Sequence, residues 1–590
     1  MKMMMTRDVS LVMMSMVALV VASNSIVLEV SAILPASVTN FQGHFTCPNV
    51  MLGKPKTEEQ VSLIVKEHPL VKASGVGHSW NTEFTCSGNA SNAVNIVTTE
   101  MQVLGIGCPD TNGDGIGDPC DTTLNPACEC STCNNESCQV DEANRVVKVA
   151  AGVRVRDLLD YLATYGESGG YTLPAFPWFI DQTVAGAVST ATHGTTMRHG
   201  SMSQQVTEFE VVLADGSTKT FSDENNEHLM SAMRVNVGRL GVNTWLTMKI
   251  EPQRSVRRST RRNQPIQDFV GEMKTLQEKY IANRDMEGAD HDGDFFTEMF
   301  GKDDAGLPIH EKAMYWFVPA QEAWHIQFSL LEVEPMSVTE NQQSDGRGAL
   351  TPGERRFMRS NARLWSEFYA GSVTYNVMPG TFASRRAYMS MTEGQSRRHR
   401  FFSAYDQWEM FVPLSKVGDC VAAVADRLYN SDDEPWRGFR TQFLIRLTNK
   451  ESGYLSYSSD EPVMGFNMED YVQYNNGGKN DDFQAVMDVF RSPVCGPARV
   501  HWGKAGWDQS RGQEVCFDGA AEFPNTWCDF GCAVSELDPN GKFAGISTKW
   551  QWAASSKSSS DVVVEFAQCC GPDGFKKDMC TCESVLPAEC

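Results

Sequence analysis

Residues 71–80 read VKASGVGHSW and residues 183–196 read TVAGAVSTATHGTT, and on these two small-residue runs the reading of the chain turns. Glycine and alanine keep side chains out of the way, so clustered backbone N–H groups reach an anionic ligand such as the pyrophosphate of a dinucleotide. Neither run fits G-x-G-x-x-G followed by an acidic residue about twenty positions on, which argues against a nicotinamide Rossmann site, and no Walker A sequence is present. Taken alone, each run is equally a tight turn leading into a closely packed small-residue helix.

Outward from these runs, residues 41–252 alternate short apolar strands with helices and glycine-rich turns, a mixed α and β pattern. Residues 57–67 predict a helix, 70–73 a strand ending at Gly75, and 146–149 a strand followed by a turn at Gly152. Leu158, Leu159 and Leu162 then recur at helical spacing. Residues 208–213 and 217–221 flank Asp215-Gly216, a hairpin signal. The arginine-rich RSVRRSTRR at 254–262 marks a boundary and reads as a solvated linker or exposed strand, or as a docking patch for an acidic surface. Beyond it, strands are expected over 314–319, 325–332 and 408–413, and helices over 353–369 and 417–429. After Trp507 comes a Cys-rich tail in which AASSKSSSD reads as a loop.

At 590 residues the chain exceeds one hydrophobic core, so at least two domains are expected. A net charge of -23 disfavours a nucleic-acid partner, and 41% hydrophobic with 21% charged residues describes a globular protein. Lys2 and Arg7 precede an apolar run over residues 11–22, the shape of a secretory signal spanning residues 1–32, with an uncleaved signal anchor as the alternative. Localisation is accordingly expected in the secretory lumen or outside the cell, and membrane association only with an uncleaved signal. All 18 cysteines lie beyond that segment, which implies disulfides. Six fall in 108–138 and eight in 516–590, so the bridges are expected to staple appendages rather than the core. Zinc ligation by Cys128, Cys130 and Cys133 is the alternative for that cluster. Asn89 and Asn135 head glycosylation acceptor triplets, placing both in surface loops.

With VKASGVGHSW, AGAVSTATHGT (185–195), GRLGV (238–242), VHWGK (500–504) and ELDPNGKF (536–543) in this order, the chain resembles the sugar-1,4-lactone oxidases of the vanillyl-alcohol-oxidase type FAD proteins, nearest the plant L-gulonolactone oxidase-like branch. The resemblance runs over residues 41–550 apart from the 108–138 insert. It implies an α+β architecture: a two-subdomain FAD-binding (PCMH-type) domain over 41–255, an α+β substrate or cap domain over 256–510, and a Cys-rich extension over 511–590. It implies that Ala73, Ser74, Gly75, Val76, Gly77, His78 and Ser79 hold the FAD pyrophosphate region, with His78 bonded covalently to the flavin 8α position. Thr183, Val188, Ala191, Thr192, His193 and Gly194 would line the isoalloxazine and ribityl chain, and the Val242 backbone would meet the adenine end.

The same resemblance implies a flavin oxidase that takes a hydride at N5 from a sugar lactone or related sugar alcohol and passes electrons to oxygen, giving hydrogen peroxide, as in L-gulono-1,4-lactone or D-arabinono-1,4-lactone oxidation. Lys504 then sits by the flavin, with His501 beside it, and Arg446 in FLIRLTNKESGYLSYS faces the substrate. Where the family has E-x-R, Leu444 stands at the glutamate, so another group orients the hydroxyls or the substrate differs. Oxidation of an alditol or an oligosaccharide end is the alternative within enzymes; a non-catalytic extracellular calcium-binding protein on this fold is the alternative outside them. The latter draws on PDTNGDGIGDPCD, where Asp110, Asn112, Asp114, Asp118 and Asp121 suit a structural calcium ion, or equally an acidic Cys-clamped loop.

Overall fold

The computed structural model describes residues 34–40, 46–80, 86–87, 93–101, 132–166, 169–284, 293–332, 379–383, 406–439, 441–470, 480–506, 517–545, 550–558, 563–588 and 590. The leader, the calcium-type acidic set from Asp110 to Asp121, Asn89, Cys128, Cys130 and the expected helix 353–369 lie outside the described residues. Among the described residues no helix is long and apolar enough to cross a membrane.

Two sheets make up the first half. A four-stranded sheet runs Leu34–Thr39, Thr46–Gly53, Ala93–Val97, Leu70–Ser74 in spatial order. Its last three strands are parallel, which requires a crossover, supplied by the helix Glu58–Glu67. The Thr57 side chain caps that helix at the Gln60 N–H, and Glu58 and Glu59 lie at its positive end; a cap of this kind contributes about 1 kcal/mol. Val61, Ile64 and Val65 recur on one face and pack on Val71, Val94 and Ile96. The second sheet is antiparallel, in the order Cys138–Asp141, Val146–Ala150, Val242–Lys249, Val206–Val212, Thr218–Ser222. Its last hairpin turns at Asp215-Gly216, with Gly216 at φ 77°.

Residues 536–543 close the first half. The Val71 N–H donates to the Lys542 carbonyl at 3.0 Å, Arg239 pairs with buried Asp538, and buried Lys72 donates to the carbonyls of Val237, Gly238 and Phe543. The strand leading into VKASGVGHSW, the GRLGV loop and the ELDPNGKF run are thereby tied together.

The second half is an eight-stranded antiparallel sheet: Gly380–Ala383, Ser255–Pro265, Glu322–Leu331, Glu311–Phe317, Phe443–Thr448, Val463–Asp470, Asp406–Pro413, Arg499–Val500. Side chains alternate faces along a strand, and this sheet shows it in full. Met314, Trp316, Trp408, Met410, Phe443, Ile445, Met464 and Phe466 belong to the large core that also takes in the helices Ile266–Asn283, Val417–Tyr429 and Asp481–Phe490. The alternate positions Tyr315, Gln407, Glu409, Leu444, Arg446, Asn467 and Glu469 line a cavity against the first half.

Four expectations need correction. RSVRRSTRR is no linker: Ser255–Pro265 is a strand, exposed at Arg261 and Arg262 as the exposed-strand reading has it, but internal to the sheet over residues 255–258. Arg258 is buried with its guanidinium 4.4 Å from the Phe382 ring centroid, and Arg257 pairs with Asp303 and Asp304. AASSKSSSD is not wholly a loop, since Trp552–Ser556 is a strand paired with Cys580–Ser584. The bridges do not only staple appendages: Cys420–Cys495 and Cys47–Cys86 lie within the two halves. The tail itself is not peripheral. Its helix Trp527–Leu537, bridged through Cys528–Cys582 and Cys532–Cys570, belongs to the large core. Trp502 of the HWGK loop rings with Phe523 and Trp550, so the tail buttresses that loop. Cys133 pairs with Cys138, which removes it from a zinc site, and exposed Asn135 lies in the adjoining turn.

Candidate active site

One cavity gathers most of the residues singled out in sequence. Residues 73–79 leave the strand Leu70–Ser74 and form one wall; Thr183, residues 185–187, 189–190 and 192–193 form a second; residues 236–238 and Gly241 close one end, and the eight-stranded sheet closes the other. The walls touch closely. A Cβ added at Gly75 would lie 2.0 Å from Thr183 Oγ1, so only glycine permits this approach, and Gly77 has φ 72°. The Trp80 N–H donates to the Gly503 carbonyl at 3.0 Å, which fixes the GHSW turn to the HWGK loop and brings His78 and Lys504 to one cavity.

The sheet end carries the charge. Glu409 is fully buried; its Oε1 accepts from Arg446 Nη2 at 2.6 Å and lies 3.1 Å from His193 Nε2. Burial alone would raise its carboxyl, but the Arg446 guanidinium and His193 outweigh this and hold it well below the usual carboxylate range. His193 is pushed down by burial and then by Arg446, and burial pushes His501 well below the ordinary imidazole value, so both rings are neutral near pH 7. Neutral His193 must place one lone pair. Thr448 Oγ1 lies 3.1 Å and the Gly194 carbonyl 2.9 Å from Nδ1. A lone pair on Nε2 would face an ionised carboxylate, so Nε2–H donates to Glu409. Arg446 also donates from Nη1 to the His193 carbonyl at 3.0 Å.

His193 is walled by Phe411 and Tyr457, which stack on each other with centroids 3.5 Å apart, and the Tyr457 hydroxyl donates to the Ala191 carbonyl. Behind it, buried Glu451 accepts from the Ser201 N–H and hydroxyl and from Ser456, clamping residues 201–203 to the YLSYS segment. Lys504 donates to Gln407 Oε1, and burial lowers its ammonium to about 8. His193, Glu409 and His501 bring ligand-type atoms within 4.8 Å of one another, but Arg446 takes the carboxylate oxygen a dication would use.

Among the sequence-derived residues, Ala73 to Ser79, Thr183, Thr192, His193, Arg446, His501 and Lys504 line this cavity. Val188, Ala191, Gly194 and Val242 do not: Val188 and Ala191 pack in the core, Gly194 sits against the Phe176 backbone, and Val242 joins the cluster around Val61. Sequence reasoning missed Glu409, Gln407, Asn467, Trp178 and Tyr315. For Glu409 a signal existed: an ionisable residue inside the run WEMFVP, which otherwise reads as a buried strand.

FAD fits these walls. The cavity's carboxylates, Glu409 and Glu469, both belong to the sheet end, leaving the glycine-rich end free of negative charge where a pyrophosphate needs N–H donors. Asn243 Oδ1, Trp178 Nε1 and Gln442 Oε1 are buried along the cavity and make no hydrogen bond among the described residues, so they can serve a polar ligand.

The fold and cavity define a two-subdomain FAD-binding protein, and the comparisons agree. A family profile described as an FAD binding domain matches residues 131–222. The crystal structure of cholesterol oxidase from B. sterolicum superimposes with a TM-score of 0.62 at 13% identity, covering 88% of this chain and 97% of that one, which establishes the shared fold. Over shorter stretches the chain is 33% identical to D-arabinono-1,4-lactone oxidase of Yarrowia lipolytica (18% of this chain, 19% of the relative) and 33% to L-gulonolactone oxidase of Mus musculus (20% and 26%). It is 27% identical to alditol oxidase of Streptomyces sp. over 37% of this chain and 43% of the relative. The matches thus span from about a fifth to less than half of these curated relatives' lengths. The chain thus carries an FAD binding domain over residues 131–222 and is similar, over parts of its length, to lactone and alditol oxidases.

Proposed function

We propose that this protein is an FAD-dependent oxidase of a sugar lactone or related polyol. The observation that carries the reading is the union, in one cavity, of an acid-free backbone cradle with a buried Arg446 and an enclosed Lys504. FAD, when bound, supplies the hydride acceptor at N5 and passes the electrons to oxygen, yielding hydrogen peroxide. Residues 73–79 and the cavity-lining residues Thr183, 185–187, 189–190 and 192–193 hold the cofactor's phosphates and ring, and His78 is the residue proposed to bond it covalently. Arg446 binds the hydroxyl oxygen of the substrate and stabilises the alkoxide character that develops as the C–H bond breaks. Lys504 offers a fixed positive charge on the same cavity and favours the anionic reduced state. The burial of Arg446 and Lys504 strengthens both effects.

The similarity to lactone oxidases supports a lactone, and the longer match to an alditol oxidase supports an open-chain polyol as the second reading. Peroxide release across a panel of aldonolactones and alditols tests the class: turnover with one or more is expected, and a flavin-loaded protein inert to all of them contradicts it. His78→Ala is expected to release its flavin on acid precipitation, whereas wild-type retention would remove His78 as the tether. Residence in the secretory pathway is proposed from the leader and is supported by the disulfides. A structural calcium ion in the insert is proposed from its acidic spacing alone.

A further inference from the structure

We propose that Glu409 is a positioning residue for this site, the shared counter-anion that reaches across an intervening strand to hold Arg446 in place. The proposal rests on the flavin-oxidase reading above.

Register shows how the carboxylate came to lie there. Asn467 is paired with Leu444 on one side and with Glu409 on the other, so these three residues form one rung across three strands. The neighbouring rung is Arg446, Gly465, Phe411. Arg446 and Glu409 therefore stand two strands apart, roughly 10 Å between backbones, and a side chain at 465 would block the path between them. Glycine leaves it open. A Cβ there would lie 2.8 Å from the Phe411 ring and 3.2 Å from Glu409 Oε1. Through this gap the carboxylate meets the guanidinium at 2.6 Å. Glu409 lies on the cavity wall with no exposed surface and its Oε1 already taken by Arg446 and His193, so it acts on substrate through these partners.

Its reach extends beyond Arg446. The charged and titratable groups facing it are Arg446 from its own sheet, His193 from the second wall, and His501 and Lys504 from the HWGK loop; Glu469 and Tyr457 lie further around the same cluster. For Lys504, burial lowers the ammonium and Glu409 is the largest influence opposing that. Removing the carboxylate thus leaves Arg446 without its partner and Lys504 with only Glu469 opposing the effect of burial, so Lys504 loses its proton at lower pH.

The test compares wild type, Glu409→Gln and the double variant Glu409→Gln with Leu444→Glu, all loaded with FAD. The substrate-free pH titration of the flavin absorbance is recorded first, then anaerobic flavin reduction by L-gulono-1,4-lactone and by xylitol. In Glu409→Gln the spectral titration near pH 8 is expected to move down by roughly one unit, and the reduction rate to fall roughly 10–100-fold. In the double variant a carboxylate two residues before Arg446 on the same face restores both in part. An unshifted titration in Glu409→Gln with flavin bound overturns the proposal, as does an unchanged rate. Should wild type itself be reduced by neither probe, the substrate reading falls, while the spectral titration still decides for or against Glu409.

Discussion

Replacing Arg446 by methionine keeps roughly the volume of the side chain and deletes its charge, leaving fully buried Glu409 without its cation. Breaking a buried pair from one side costs about 3–5 kcal/mol, because the surviving charge has neither water nor partner. The His193 carbonyl also loses a donor at 3.0 Å. Against a typical stability of about 5–15 kcal/mol, this is a large fraction, and for a chain of this size it corresponds to a fall of roughly 2–4 °C in melting temperature. The defect should depend on pH. Wild-type His193 has a folded value below 6.5, so wild type loses stability as pH falls below that value, where the unfolded ring takes up a proton that the folded ring refuses. In the variant the guanidinium no longer depresses His193, while Glu409 still raises it, so the ring moves up and its protonation repairs the orphaned carboxylate. The gap between the two proteins is therefore widest at alkaline pH and narrows on acidification. Thermal unfolding followed by tryptophan fluorescence from about pH 5.5 to pH 8 measures this. Equal melting temperatures across that range, or a gap that widens toward acid, would refute the electrostatic account of the cluster.

Gly75→Val drives a side chain into Thr183, 2.0 Å from the position of its Cβ, and is expected to abolish FAD retention at a stability cost of about 1–3 kcal/mol; a full flavin complement in the purified variant contradicts this. Lys504, with its ammonium lowered to about 8, is charged below that pH and neutral above it, so flavin reduction by substrate should decline as pH rises through about 8, and Lys504→Met should lack this limb. A stopped-flow pH profile with the same limb in both proteins would assign it elsewhere. Replacing Cys420 and Cys495 by serine removes a cross-link spanning 75 residues in the body of the second half and should cost about 2–4 kcal/mol in chemical denaturation, whereas an unchanged midpoint would show the bridge to be dispensable.

Much of the architecture is written in local pattern. The residue spacing predicts a helix over 57–67, and the helix found is Glu58–Glu67 with Thr57 as its cap. The Asp215-Gly216 turn and the Val417–Tyr429 helix are similarly legible, because turn chemistry and apolar periodicity are short-range properties. In RSVRRSTRR charge reads as solvent exposure, which holds for Arg261 and Arg262 but not for residues 255–258, whose place between two strands and over Phe382 is set by residues more than sixty positions away. The tail misled for the opposite reason: its cysteines suggest a separate module, yet Trp527 and Trp550 complete an aromatic cluster around Trp502. In the site, the residues on glycine-rich loops are legible because backbone approach demands small side chains locally. For Glu409 the run WEMFVP signals a buried ionisable residue but not its partner, since that depends on strand register and on the gap at Gly465, neither of which a linear spacing reveals.

The whole account turns on a coenzyme seated between the two small-residue walls. Its most direct test is the visible absorption spectrum of the purified, extensively dialysed protein, followed by acid precipitation. Flavin bands in the native protein that travel with the precipitated polypeptide are the predicted result. A colourless protein that takes up no FAD on incubation would contradict it.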